Sequence, residues 1–287
     1  MAKLLVAGIR VELQYVFDDY FQTLIDPYVT SYDNPQHRIM VRVESGFDVP
    51  NGLRETAAYR NRHVYQDNNQ TWIAAYDESG VCKQMICHDR DYRLITVRLH
   101  EQDERSRLAE LEYVLTGMIF MELALLHGRV ALHASAIRLG DDAVLFAATS
   151  GTGKSTHARH WIERFDATYI NDDKPLLYLE DGRLWVAGSP WCGKDMKQAN
   201  DHATVKAVVC IARGTNKIVQ LSNKEKMVKL FQHVVRPRNR ELLDVVSNMI
   251  ESIIDKVLVV SFESRITADS AAVLHHEIFG GQYEDKV

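Results

Sequence analysis

Ala148-Thr149-Ser150-Gly151-Thr152-Gly153-Lys154-Ser155-Thr156 is the strongest chemical signal in the chain. Glycines admit the backbone conformations that turn consecutive N–H groups inward on phosphate oxygens, and a helix opening at that point adds positive potential. A Lys placed here reaches the β- and γ-phosphates, and the hydroxyl after it ligates Mg²⁺. The expected nucleotide loop is Ser150, Gly151, Thr152, Gly153, Lys154, Ser155 and Thr156, with ATP and Mg²⁺ as its ligands and Ser155 on the metal. Ala148 stands where such loops usually begin with Gly, a substitution that suits any turn except one needing positive φ.

A phosphate loop needs carboxylates, one to hold Mg²⁺ and, in a kinase, one to take or orient the hydroxyl proton. Asp172 and Asp173, in Tyr169-Ile170-Asn171-Asp172-Asp173-Lys174, follow one helix and one short strand, eighteen residues after Lys154. Alone, Asn-Asp-Asp is an ordinary turn; in this position the two carboxylates are candidates for base and metal ligand. His133 lies on the strand before the loop strand, where packed core is the blander reading. Lys194, in Pro190-Trp191-Cys192-Gly193-Lys194, and Arg213, with Arg236 and Arg238 beyond it, are candidate contacts to an acceptor, set against plain solvated cations. Cys82, Cys87 and His88 form at most half a metal site, and thiols on strands are the simpler reading.

The elements that must position these groups follow from periodicity. Lys3–Tyr15 is rich in β-formers, Phe17–Ile25 reads as helix, and strands are expected at 37–43, 63–66, 71–76, 82–88 and 92–99, arranged as an antiparallel meander. Leu108, Leu111, Leu115, Met118, Ile119 and Leu126 repeat at helix period until Gly128. Strands 131–139 and 143–147 then lead into the Gly-rich loop and a helix at 156–165. Further strands are expected at 176–179, 184–187, 206–212 and 257–262, and helices at 224–235, 240–254 and 268–279. The expected fold class is α/β: a β-rich α+β domain over 1–105, then a P-loop domain with a mixed sheet over 106–287, entered by the long helix.

Composition bounds the rest. The 287 residues are 46% hydrophobic and 25% charged, enough for a substantial core. A formal charge of −5 argues against nucleic acid or anionic membrane as partner. The longest apolar stretch, 113–126, is shorter than the roughly 20 residues of a membrane span. Four cysteines in this length make no disulfide scaffold, and a cytoplasmic setting is expected.

Taken together, His133 ahead of the loop, Ser-Gly-Thr-Gly-Lys-Ser-Thr and the Asp-Asp pair resemble the HPr kinase/phosphorylase family. ATP-dependent phosphoenolpyruvate carboxykinases carry a similar loop. Asn-Asp-Asp-Lys-Pro and Pro-Trp-x-Gly-Lys are similar to HPr-kinase-like bacterial proteins, some of which accompany peptide-maturation systems. The likeness is close over about residues 128–200. It implies a P-loop domain of HPr kinase type and an ATP-dependent kinase acting on a hydroxyl. Asp172 or Asp173 would be the catalytic carboxylate, His133 would tune it, and one Asp would join Ser155 on Mg²⁺. It also implies a homo-oligomer. The family's downstream Gly- and Arg-rich signature is absent unless Arg213-Gly214 or Arg236-Pro237-Arg238 stands in for it, and the N-terminal domain does not match. The acceptor stays open between a peptide or protein serine and a small molecule. Two other functions compete: a carboxykinase-like lyase, for which no second cluster of metal ligands and arginines is visible, and a nucleotide-binding switch or degenerate kinase-like module.

Overall fold

The computed structural model describes residues 1–149 and 151–280, so Ser150 of the expected nucleotide loop lies outside the described residues. The chain divides into two compact units, Met1–Leu123 and Ala124–Val287. Both are mixed α/β, each built on a mixed sheet.

The first unit holds an eight-stranded sheet. Strands β1 (Ala2–Val6) and β2 (Ile9–Gln14) form a hairpin across Ala7-Gly8, both at positive φ (48° and 80°). A two-residue turn of this kind matches the twist of its flanking strands. Helix α1 (Asp18–Ile25) then carries the chain across to β3 (His37–Glu44). Because of that crossover β3 runs parallel to β2. It is also parallel to β8 (Leu94–His100) on its other side. The expected uniform meander is therefore corrected: apart from the β1–β2 hairpin, antiparallel pairing is confined to β4 (Arg54–Tyr59), β5 (Arg62–Gln66), β6 (Gln70–Tyr76), β7 (Cys82–Asp89) and β8. β4 escapes the hydrophobic pattern because all six of its residues are exposed. Cys82 and Cys87 both lie on β7 as free thiols, and burial pushes each up to about 11.

Helix α2 (Arg105–Leu125) contains the division between the units rather than following it. The buried Glu112 side chain explains why most of α2 belongs with the first: it accepts the amides of Val16 (2.6 Å) and Phe17 (3.0 Å) at the start of α1. Among the described residues no helix is long and apolar enough to cross a membrane.

The second unit opens with β9 (Val130–Ala131), β10 (Ala134–Leu139) and β11 (Asp142–Ala147). Helix α3 (Lys154–Phe165) follows the Gly-rich loop and leads to β12 (Thr168–Asn171). Next come a hairpin, β13 (Leu176–Glu180) with β14 (Arg183–Ala187), and the long β15 (His202–Arg213). A short β16 (Lys217–Gln220), helices α4 (Asn223–His233) and α5 (Leu243–Lys256), β17 (Leu258–Ser264) and α6 (Ala268–Phe279) complete it. β11, β15 and β17 are mutually parallel at the centre, and their side chains alternate between two buried layers. Leu145, Val208 and Val259 pack with Val246, Ile250 and Ile253 of α5. Phe146, Val209 and Phe262 pack with Trp161 of α3 and Leu274 of α6. A strand covered on both faces reads as continuously apolar, as Val144-Leu145-Phe146-Ala147 does.

Candidate functional site

Strand direction gathers the candidate residues at one end of the second sheet. The parallel strands β11, β15 and β17 all end there, the end at which open α/β sheets bind ligands. β10 is antiparallel to β11, with Ala134 opposite Ala147, so His133 just before β10 lies at the same end. β12 is antiparallel to β10, with Asn171 opposite Ala136, so Asp172 and Asp173 emerge there too. The Gly-rich loop leaves β11 at this end. Gly151 (φ 77°) and Gly153 (φ 112°) occupy backbone conformations that L side chains rarely adopt. Ala148 is not among the described residues at positive φ, so the missing first glycine costs the loop no strain.

Four side chains meet in a chain of polar contacts. Asp173 Oδ1 lies 2.9 Å from His133 Nδ1. His133 Nε2 lies 2.8 Å from Lys154 Nζ, which also donates to the carbonyl of Ala148 at 3.0 Å, closing the loop on itself. Lys174 Nζ contacts Asp173 Oδ2. With the Nδ1 proton directed at the carboxylate, Nε2 presents its lone pair to the ammonium. His133 is held from behind as well, since its amide donates to the His233 carbonyl at 2.7 Å at the end of α4.

The two carboxylates are driven apart. Burial raises Asp173, but the hydrogen bond from His133 and the charge and hydrogen bond of Lys174 outweigh it and hold the group well below the usual carboxylate range. Burial also raises Asp172, and there it prevails over the opposing hydrogen bonds from the amides of Gly193 and Lys197; the nearby charges of Asp173 and Asp195 push the same way. Burial lowers Lys154, partly offset by the charge of Asp173. Burial, with the electrostatic influence of the neighbouring His133, Lys154 and Lys229, brings His233 down to about 4. Adjacent carboxylates with divergent proton affinities are what a division of acid–base and electrostatic roles requires.

The segment after β14 is fastened to this pair. The Gly193 amide donates to Asp172 Oδ1. The Asp172 amide donates to the Lys197 carbonyl at 3.0 Å, and Asn171 bridges to Gln198. Asn171, fully buried, organises both sides. Its side-chain NH₂ donates to the carbonyls of Ser189 (3.1 Å) and Trp191 (3.2 Å), while its Oδ1 accepts the amides of Asp173 (2.9 Å) and Lys174 (2.7 Å).

The structure thus brings His133, Lys154, Asp172 and Asp173 together, with Thr152, Ser155 and Thr156 half-buried on the adjoining loop and first turn of α3. Lys194 follows Gly193 but is exposed, and among the described residues it makes no hydrogen bond or ion pair to the cluster. Arg213 ends β15 at the same end of the sheet, likewise exposed and outside the cluster. Sequence reasoning missed Asn171, Lys174 and His233. Asn171 reads as a turn residue, and only its complete hydrogen bonding reveals its part. His233 is brought in by α4, nearly eighty residues after the loop. Among the described residues no group of three or more His, Cys, Asp or Glu is arranged to hold a metal ion.

No family model matches this chain, and no curated protein matches it. A solved structure, the Hpr(Ser) kinase/phosphatase from Coxiella burnetii, is similar over 41% of this chain and 88% of its own, at 16% identity and a TM-score of 0.25. That likeness is too distant to carry fold or activity across.

Proposed function

We propose that the chain is an ATP-dependent kinase of HPr kinase type that transfers the γ-phosphoryl group to a hydroxyl. The observation that carries this reading is the convergence of the Gly-rich loop, Lys154 and two electrostatically divergent carboxylates at the carboxyl end of the central parallel strands of one mixed sheet. Lys154 and the loop amides suit the charge that develops on a transferring phosphoryl group. To reach it, Lys154 gives up His133 Nε2 and the Ala148 carbonyl. Asp173, kept ionised, suits Mg²⁺ together with Ser155; Mg²⁺ typically takes one or two carboxylates and completes its shell with substrate phosphates and water. The metal would neutralise charge between the β- and γ-phosphates. Asp172 holds a proton more readily and suits the hydroxyl's proton. Lys194 and Arg213 would reach the acceptor, a peptide, protein or small molecule. The protein works in this reading as a cytoplasmic homo-oligomer.

The test is calorimetry with MgATP, followed by transfer from γ-labelled ATP to a panel of serine peptides and small alcohols. Lys154→Ala should lose nucleotide binding, and Asp172→Asn should keep it and lose transfer. Binding of MgATP without hydrolysis or transfer to any acceptor would favour a nucleotide-dependent switch. Absence of binding by the wild type would refute the nucleotide site itself.

A further inference from the structure

We propose that Ile266 is a positioning residue for the phosphate loop, holding Gly153 in the conformation that turns the loop amides inward. The proposal rests on reading residues 151–156 as a nucleotide loop. Ile266 has φ 60°. A β-branched residue in the left-handed region is a genuine outlier, and such strain persists only where the surroundings over-determine it.

Those surroundings are specific. The Ile266 amide donates to Ser264 Oγ at 2.8 Å. The same Oγ lies 2.9 Å from Nε2 of His157, a buried residue in the first turn of α3, and donates to Ser270 Oγ at 3.2 Å. Ser270 Oγ in turn donates to Asn216 Oδ1, which also accepts the Arg265 amide, each at 2.8 Å. The turn after β17 is thereby tied to α3, to α6 and to the turn after β15. Burial brings His157 down to about 4, so the imidazole stays neutral; with Nε2 donating, it holds Ser264 by one hydrogen bond.

The side chain set by this tether faces the phosphate loop. A Cβ added at Gly153 would stand 2.8 Å from Ile266 Cδ1 and 3.4 Å from its Cγ1 and Cγ2. Gly153 is the residue before α3, at φ 112°. Glycine or asparagine at 266 would take the left-handed backbone with little strain and keep the amide bond to Ser264. What isoleucine adds is the branched side chain on Gly153. Strain is thus accepted at one residue where a second, conformationally free residue needs a wall. A phosphate loop already in its binding conformation spares the nucleotide the cost of ordering it.

The experiment compares Ile266→Gly, Ile266→Leu and Lys154→Ala in the full chain, measuring the melting midpoint and the MgATP Kd by calorimetry. Ile266→Gly relieves strain and removes the wall. Its midpoint should hold or rise, while Kd weakens about tenfold if the freed loop is competent about one time in ten. Leucine, whose δ carbons can reach Gly153, should restore most of the affinity. Wild-type Kd in Ile266→Gly, with binding lost in Lys154→Ala, overturns the positioning role and leaves the nucleotide site standing. A midpoint that falls together with affinity makes Ile266 ordinary packing and overturns it too. No MgATP binding by the wild type removes both readings.

Discussion

Replacing each carboxylate of the pair by its amide should move stability in different ways, although under the proposed kinase reading both changes should impair transfer. Asp173 is hydrogen-bonded to His133 at 2.9 Å and contacts Lys174, with its own side chain 16% exposed. Hydrogen bonds to charged groups contribute about 1.5–3 kcal/mol each. The His133 and Lys174 side chains are 35% and 38% exposed, so solvent screening brings the sum down to about 2 kcal/mol. In a protein of this size that is roughly 3–4 °C of melting midpoint at pH 7. Asp172→Asn removes a charge that burial opposes and leaves an oxygen for the Gly193 amide, so its midpoint should match or slightly exceed the wild type. The pH dependence follows from the signs. Asp173 is depressed in the folded state, so its stabilisation is present above the unfolded value of about 3.9 and fades as pH falls through the folded value. Asp172 is raised, so its contribution is present below about 3.9 and fades as pH rises through its folded value. Thermal melts by circular dichroism from about pH 2 to 8 read the onset of the first trend and the course of the second. Equal shifts for the two variants at pH 7, or a gap between wild type and Asp173→Asn that widens in acid, would refute the assignment of unlike environments.

Three further outcomes are expected. Lys154→Ala should weaken MgATP binding by well over tenfold in calorimetry, since it removes the ammonium that would pair with phosphate. Ala148→Gly should cost about 1 kcal/mol in denaturant melts through chain entropy while leaving MgATP affinity unchanged, because the position does not need positive φ. Asn171→Ala should cost about 3 kcal/mol or more, read by the same melts, because it strips partners from two carbonyls and two amides around the Asp pair. Transfer should fall with it even at temperatures where the variant stays folded.

What could be read from the sequence follows which forces are local. The loop's place between β11 and α3 was legible because glycine spacing, an apolar strand before it and a helix after it are all contiguous. The hairpin β13–β14 and its return toward Asp172 were legible for the same reason: turn residues and alternation act over short range. The direction of β3 was not. Alternating apolar residues appear in parallel and antiparallel strands alike, and only the crossover through α1 sets the orientation. Nor was β4, whose residues are all exposed and carry no burial pattern. Within the site, Lys154 stood out by its place in the Gly-rich loop, the Asp pair by its position after one helix and one strand, and His133 through the family resemblance. The residues that fix their geometry did not, because their partners are distant in the chain: Asn171 reaches carbonyls about twenty residues on, and Ser264 meets His157 across more than a hundred. Ile266 is the extreme case. Nothing in Ser-Arg-Ile-Thr suggests a left-handed residue, and its role becomes visible only when Gly153, from another strand's end, is seen against its side chain. A reactive group announces itself by its chemistry, whereas a positioning group is defined by what it touches, so the second kind depends on the tertiary fold.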